Sequence, residues 1–335
     1  MESFCPISRA SQRAETDTIG LNRSFFSSVI RRSFFAVVAI VLSTWTVVAE
    51  DEAAHKKVLL IGIDGCRPDA LRIAKTPHLD QLIREGAFAD DTQILGQRHT
   101  DNDTISGPGW SSILTGVWAD KHGVNGNEFR NPNYDEYPHF FRRIKDAQPS
   151  AYTVSLTTWA PITENIVTAA DVSRQLREPE ESYATGDQAV ALEAVRLLRE
   201  ENPTAMFVYL GNVDGTGHVH GFHPNVQPYV AEIETVDHLV GQILAALRAR
   251  KTYREEDWLI LVGTDHGGRG TGHGEGQNVP EIRNVFLIVS GPSSARGKIE
   301  EPTYIVDMVP TALVHLGVNI DPAWMLDGRP VGLQQ

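Results

Sequence analysis

Val58-Leu59-Leu60-Ile61-Gly62-Ile63, followed at once by Asp64, is the stretch on which the fold turns. A strand half-exposed to water would alternate apolar and polar residues. This run does not, so it predicts a strand buried on both faces of a largely parallel sheet. Three further runs of strand length share that continuous character: Ala205 to Leu210, Trp258 to Val262, and Val285 to Val289. Helical spacing fills the intervals. Tyr183 to Glu200 places Val190, Leu192, Val195 and Leu198 at helical intervals, and Val226 to Leu247 places Val230, Ile233, Val236, Val240, Ile243, Leu244 and Leu247 so. Thr76-Pro77 opens another helix, which runs through Leu79, Leu82 and Ile83 and closes at Gly86. Strands alternating with helices imply an α/β fold, a helix-sheet-helix sandwich around a largely parallel central sheet. No repeat or low-complexity linker follows residue 57, so a single domain from about residue 56 to 335 is expected.

The 335 residues are 41% hydrophobic and 22% charged, enough to bury a sizeable core without disulfides. A net charge of -13 excludes a non-specific nucleic-acid binder, because phosphate backbones attract Lys and Arg. If phosphate is handled here, a metal must supply the positive charge. Arg31 and Arg32 precede Phe34 to Ala49, an uncharged stretch ending Val47-Val48-Ala49, with Glu50-Asp51-Glu52 behind it. A basic flank, an apolar run and a small terminal residue read as a signal peptide over 1–49, cleaved after Ala49. The run is shorter than the roughly twenty residues of a spanning helix. Export to a periplasmic or secreted location is therefore expected, with an uncleaved anchor as the alternative and no stable membrane association otherwise. Cleavage would leave Cys66 as the one cysteine, read as a small packed residue beside a strand end.

Acidic residues fall where the apolar runs stop. Asp64 follows Ile63 directly, Asp214 lies four residues beyond Leu210, and Asp265 three beyond Val262. Ligands of open α/β sheets sit beyond the carboxyl ends of strands, so three carboxylates would converge on one edge. Asp214 belongs to Asp214-Gly-Thr-Gly-His218, Asp265 precedes His266, and His273 lies in the glycine-rich Thr271-Gly-His-Gly274. Three Asp and three His form a mixed oxygen and nitrogen set, which suits zinc, with manganese or iron behind it, and does not suit a calcium cage. Taken singly, each Asp is a turn or cap residue and each His a surface or core residue. The joint placement argues for metal binding.

A nucleophile candidate lies in Ile105-Ser106-Gly107-Pro108-Gly109-Trp110. Ser106 could instead cap a helix beginning near Gly107. The roles are compatible, since helix N-termini also bind phosphate oxygens. A serine hydroxyl is a weak nucleophile, and metal coordination lowers its pKa.

Together these residues resemble the alkaline phosphatase superfamily, and within it the nucleotide pyrophosphatase/phosphodiesterase branch. The resemblance rests on Gly62-Ile-Asp64-Gly, Ser106-Gly-Pro-Gly, Leu114-Thr-Gly with Lys121-His-Gly123, Asp214 to His218, Thr264-Asp-His-Gly267 and His273-Gly, in the family's order across residues 58 to 274. It implies an alkaline-phosphatase-like fold, whose closing strand and helix would be Val285 to Val289 and Tyr304 to Leu316. It also implies two zinc ions, one held by Asp214, His218 and His273, the other by Asp64, Asp265 and His266, with Ser106 as nucleophile bridging toward the second. Asn127, in His122-Gly-Val-Asn-Gly-Asn127, falls where the family places an asparagine that hydrogen-bonds phosphoryl oxygens, with Asn125 a near neighbour.

The implied activity is hydrolysis of a small-molecule phosphate ester through a covalent phosphoserine. Phosphodiesterase members usually carry threonine where Ser106 stands, which leaves monoester against diester open. Trp110 stands where a sulfatase signature would need Arg. A phosphomonoesterase, phosphonate hydrolase or sulfatase of the superfamily is the alternative, and a non-catalytic exported binding protein on the same fold is another. Because ligating histidines must be neutral, activity is expected at neutral to alkaline pH with collapse below about pH 6. Phe129, Tyr134, Trp159 and Phe222 are candidate loop aromatics for a pocket wall, and His220 and His223 are read as neighbouring or surface residues.

Overall fold

A computed structural model describes residues 55–95 and 103–334. The leader read over 1–49 lies outside the described residues. Eight strands form one sheet: β1 (Lys56–Ile63), β2 (Ala87–Gln93), β3 (Thr153–Thr157), β4 (Val172–Gln175), β5 (Ala205–Leu210), β6 (Asp257–Gly263), β7 (Asn284–Ser290) and β8 (Gly297–Lys298). Their order is β4-β3-β5-β1-β6-β7-β2-β8. Every neighbouring pair is parallel except β6 with β7 and β7 with β2, so β7 alone runs backwards. The largely parallel sheet stands, interrupted by one reversed strand between β6 and β2.

The helices are α1 (Pro68–Ile73), α2 (Pro77–Glu85), α3 (Ser106–Thr115), α4 (Ala119–His122), α5 (Phe140–Ala147), α6 (Tyr183–Glu200), α7 (Asn212–His220), α8 (Gln227–Arg248), α9 (Pro280–Arg283) and α10 (Met308–His315). They cover both faces of the sheet, and β1 shows why its run is continuously apolar. Val58 and Leu60 join the core with Leu114 of α3, Phe140 of α5 and Leu313 of α10. Leu59, Ile61 and Ile63 join the opposite core with Leu71 of α1, Leu82 of α2, Val190 of α6 and Ile243 of α8. Each large aliphatic side chain buried this way contributes about 1.5–3 kcal/mol. Truncating one, as in Ile243→Ala, should cost about 2–5 kcal/mol.

The alternation breaks at Gly62. A Cβ there would lie 2.2 Å from the Trp110 ring, so the missing side chain is the slot that admits the indole of α3 against the strand. Among the described residues no helix is long and apolar enough to cross a membrane.

Candidate metal centre

β5, β1 and β6 lie side by side, and β1 is in register with both, so residues beyond their carboxyl ends share one edge. Asp64 follows β1, and Asp265 and His266 follow β6. Nε2 of His266 lies 3.4 Å from Asp64 Oδ1 and 3.3 Å from Asp265 Oδ2, and no side chain of this triplet is more than 1% exposed. A second triplet adjoins it. Asp214 and His218 sit one turn apart on α7, their Oδ2 and Nε2 atoms 3.3 Å apart. His273, from the loop after β6, brings Nε2 to 3.4 Å from Asp214 Oδ1 and 3.1 Å from His218 Nε2. This triplet is open, with the His218 side chain 45% exposed. The His266 and His273 rings stack with centroids 3.6 Å apart, and Asp214, His266 and His273 also bring ligand atoms within 4.8 Å of one another. The two triplets therefore share a wall.

The donor chemistry fits divalent metal. His218, His266 and His273 each place Nδ1 against a backbone carbonyl, of Thr271 at 2.9 Å, Gly267 at 2.8 Å and Thr104 at 2.9 Å. A carbonyl only accepts, so Nδ1 carries a proton in each ring and Nε2 is the atom that faces the carboxylates and could ligate a metal. The facing oxygens, Asp64 Oδ1, Asp265 Oδ2 and Asp214 Oδ1, are buried without a hydrogen-bond partner. Ligands about 2.0–2.1 Å from a tetrahedral zinc stand about 3.4 Å apart, which is the spacing both triplets have. Without a cation the charges are uncomfortable. Burial and the Asp214 charge push Asp64 up to about 6. Burial and the charges of Asp64 and Asp214 push Asp265 well above the usual carboxylate range. At the open triplet the hydrogen bond to Asp214 raises His218 to about 9, while burial lowers His273 to about 3.

Ser106 Oγ lies 3.5 Å from His266 Nε2, at the mouth of the buried triplet. Helix α3 begins at Ser106 itself, with Ile105 as the residue before it, and the Ser106 side chain makes no cap. The capping alternative is thus not realised: Asn127 Oδ1 accepts the Gly107 N–H at 2.7 Å, and the Asn127 side chain is exposed. Neighbouring hydroxyls are engaged elsewhere. Thr104 Oγ1 donates to His273 O, Ser111 Oγ donates to Gly107 O, and Ser112 Oγ meets His122 Nε2 at 3.0 Å. His122 is structural: Nδ1 accepts from the Val124 N–H, and burial holds the ring neutral, its pKa pushed down to about 3.

Other candidates divide. Phe222 is fully buried, its ring edge-on to His218, Tyr229 and His273, so it backs the open triplet and walls no pocket. Phe129 packs on Trp159 with ring centroids 6.0 Å apart, and Tyr134 spends its hydroxyl on Ser111. His220 and His223 are exposed, and Cys66 is buried, its thiol pushed up by that burial. Three supporting residues carried no signal of their own in the sequence. Trp110 Nε1 and Tyr209 OH both donate to Asp64 Oδ2, at 2.8 Å and 2.6 Å, so that Oδ1 is the oxygen left free. The buried guanidinium of Arg67 donates from Nη1 to Phe222 O at 2.8 Å and to Gly268 O at 2.9 Å, tying the loops of the two triplets together.

Comparison with known proteins follows the same lines. Bis(5'-adenosyl)-triphosphatase ENPP4 of Bos taurus is 25% identical over 232 residues, which is 64% of this chain and 48% of that protein. Ectonucleotide pyrophosphatase/phosphodiesterase family member 7 of Rattus norvegicus is 22% identical over 237 residues, 63% of this chain and 49% of that protein. This chain thus spans about half the length of these relatives. Among solved structures, murine ENPP5 in complex with AMP superposes with a TM-score of 0.61 at 16% identity, over 80% of this chain and 96% of that one. A 2-O GAG sulfatase superposes with a TM-score of 0.62 at 14% identity, over 82% of this chain and 73% of that one. At such identities the solved structures establish the alkaline-phosphatase-like fold alone. The model of the type I phosphodiesterase / nucleotide pyrophosphatase family matches residues 58–277, with every ligand of both triplets and Ser106 inside that span, and the chain belongs to that family.

Proposed function

We propose that the chain hydrolyses phosphodiester or pyrophosphate bonds of a small nucleotide-like substrate at a two-zinc centre, with Ser106 as nucleophile. The observation that carries this is the place of Ser106 Oγ, 3.5 Å from His266 Nε2, beside carboxylate oxygens that are buried and unpaired. Asp64, Asp265 and His266 would hold one ion, and Asp214, His218 and His273 the other. Bound there, the two ions supply the positive charge that lowers the serine pKa and neutralises the transferring group.

The residues of the chain do the rest. Ser106 Oγ, its proton released to solvent, attacks phosphorus in line. The bond to the leaving alcohol or phosphate breaks on the opposite side, the leaving oxygen takes up a proton from water, and a phosphoseryl ester results. Water then attacks from the side the leaving group vacated, the Oγ–P bond breaks, and the hydroxyl regains a proton. The N-terminus of α3 faces the phosphoryl oxygens, and the Asn127 amide nitrogen donates to one of them. Positioning and electrostatics suffice, so no separate general base is invoked. ENPP4 bears the name of a dinucleoside triphosphatase, which supports a nucleotide-like substrate here. A sulfatase reading is disfavoured, because the position that would need Arg is filled by Trp110, fully buried and bonded to Asp64. Export by way of the 1–49 leader belongs to the same reading.

Parallel assays with bis-p-nitrophenyl phosphate, p-nitrophenyl phosphate and p-nitrophenyl sulfate test it, with metal counted on the same sample. The diester should be cleaved fastest, and Ser106→Ala should abolish turnover while metal is retained. Monoester preference, or turnover indifferent to a chelator, would overturn it.

A further inference from the structure

Helix α7 carries two of the three ligands of the open triplet, Asp214 and His218, yet is poorly made to start by itself. Its sequence, Asn212-Val-Asp-Gly-Thr-Gly-His-Val-His220, has two internal glycines, each costing about 1 kcal/mol relative to alanine. The residue before it is Gly211, which has no side chain with which to cap the helix, and no side-chain cap bond is made there. Residue 211 could not carry one either, because a Cβ there would lie 2.7 Å from the Tyr183 ring and 3.0 Å from Thr158 Oγ1. Free N–H groups at a helix start must be satisfied by something else.

Asp187, near the start of α6, satisfies them. Its Oδ1 accepts the Gly211 N–H at 2.8 Å and the Thr158 hydroxyl at 3.1 Å, and its Oδ2 accepts the Asn212 N–H at 2.9 Å. Asp187 is 1% exposed, and burial pushes its carboxyl up to about 7. The two backbone N–H groups and the Thr158 hydroxyl that it accepts favour the ionised form, which is a charge-assisted cap at a helix N-terminus. Among the described residues no such bond runs from Asp187 to the buried triplet, whose residues follow within three positions of strand ends.

We infer that Asp187 is a positioning residue which, as a cap supplied from a neighbouring helix, sets the aim of Asp214 and His218 and so the metal affinity of the open triplet alone. The inference rests on the two-metal reading above, and its failure is separable from that of the reading. Titration of the unaltered protein with zinc, followed by calorimetry, comes first: if no divalent metal binds, the metal-centre reading falls. With two sites established, Asp187→Asn keeps the side-chain volume but offers an NH2 where an N–H needs an acceptor. It should weaken the open site about 10–100-fold, with the buried site within about threefold of its original affinity. Cobalt substitution reads the same difference spectroscopically, as one of two visible absorption components lost at limiting metal. Thr158→Val removes only the hydroxyl that orients Asp187, and should shift the same site in the same direction by a few-fold. That variant carries the test should Asp187→Asn not fold. Equal weakening of both sites, or unchanged affinity at both, would overturn the inference.

Discussion

The two triplets each bring three donors together at about the same spacing, two Asp and one His in one and one Asp and two His in the other. They differ further in what stands behind them. Asp64, Asp265 and His266 are sealed, with Asp64 gripped by Trp110 and Tyr209 and the triplet seated on two adjacent strands. Asp214, His218 and His273 come from a short glycine-rich helix and a loop, and His218 meets solvent. The sealed triplet also holds Ser106 at its mouth. The difference teaches a division of labour. On the proposed reading, a site with water excluded strengthens every charge interaction at Ser106, and a site open to solvent is where water can enter and a leaving group depart.

The largest effect that could break this division is Ser106→Ala, which should lower diester turnover about ten-thousandfold or more while elemental analysis still finds both metals. Residual turnover within tenfold would remove Ser106, and with it the distinct role of the sealed side. Next, His218→Ala should reduce bound zinc from two per chain to one and cut turnover about 100- to 1000-fold, with the remaining zinc resistant to chelator. Loss of both ions together would mean the triplets act as one site. pH sharpens the contrast on the open side. His218 is held protonated up to about 9 by its bond to Asp214, and a ligand must be neutral, so each ion bound there displaces a proton below that pH. Zinc affinity of the open triplet should therefore rise about tenfold per pH unit from 6 to 8 and level off above 9, as titration at fixed ionic strength would reveal. A flat profile would contradict it. The smallest effect expected is Tyr209→Phe, which removes one of two donors to Asp64 Oδ2 and should weaken only the sealed site, about tenfold, in competition with a chromogenic chelator.

The candidate carboxylates were legible because Asp64, Asp214 and Asp265 fall just beyond apolar runs, and a strand end in an α/β sheet is a place the pattern itself marks. Tyr183 to Glu200 appears as read, and Val226 to Leu247 is displaced by one residue at each end. What the pattern hides is everything that depends on neighbours. Tyr209 reads as one more apolar residue of β5, and only the pairing of β5 beside β1 turns it toward Asp64. Asp187 reads as a polar position in a helix, because nothing local says that another helix begins beside it. β2, Ala-Phe-Ala-Asp-Asp-Thr-Gln, carries adjacent acids that break its alternation, and β4 is a polar edge strand, so both escape a search for apolar runs. The capping role offered to Ser106 failed for a related reason: its acceptor came from Asn127, twenty residues on, across a loop that spacing does not describe.

The indole slot at Gly62 has a consequence for how this protein can change. Trp110 fills the space left by the absent side chain, donates to Asp64, and rides on the helix that begins with Ser106. Positions 62 and 110 are thus a lock and its key. A larger residue at 62 is tolerated only with a smaller one at 110, and either exchange alone displaces the serine relative to Asp64. Substitutions at the two should be inherited as a pair, and a lineage acquiring Arg at 110 would first have to rebuild the carboxyl end of its central strand.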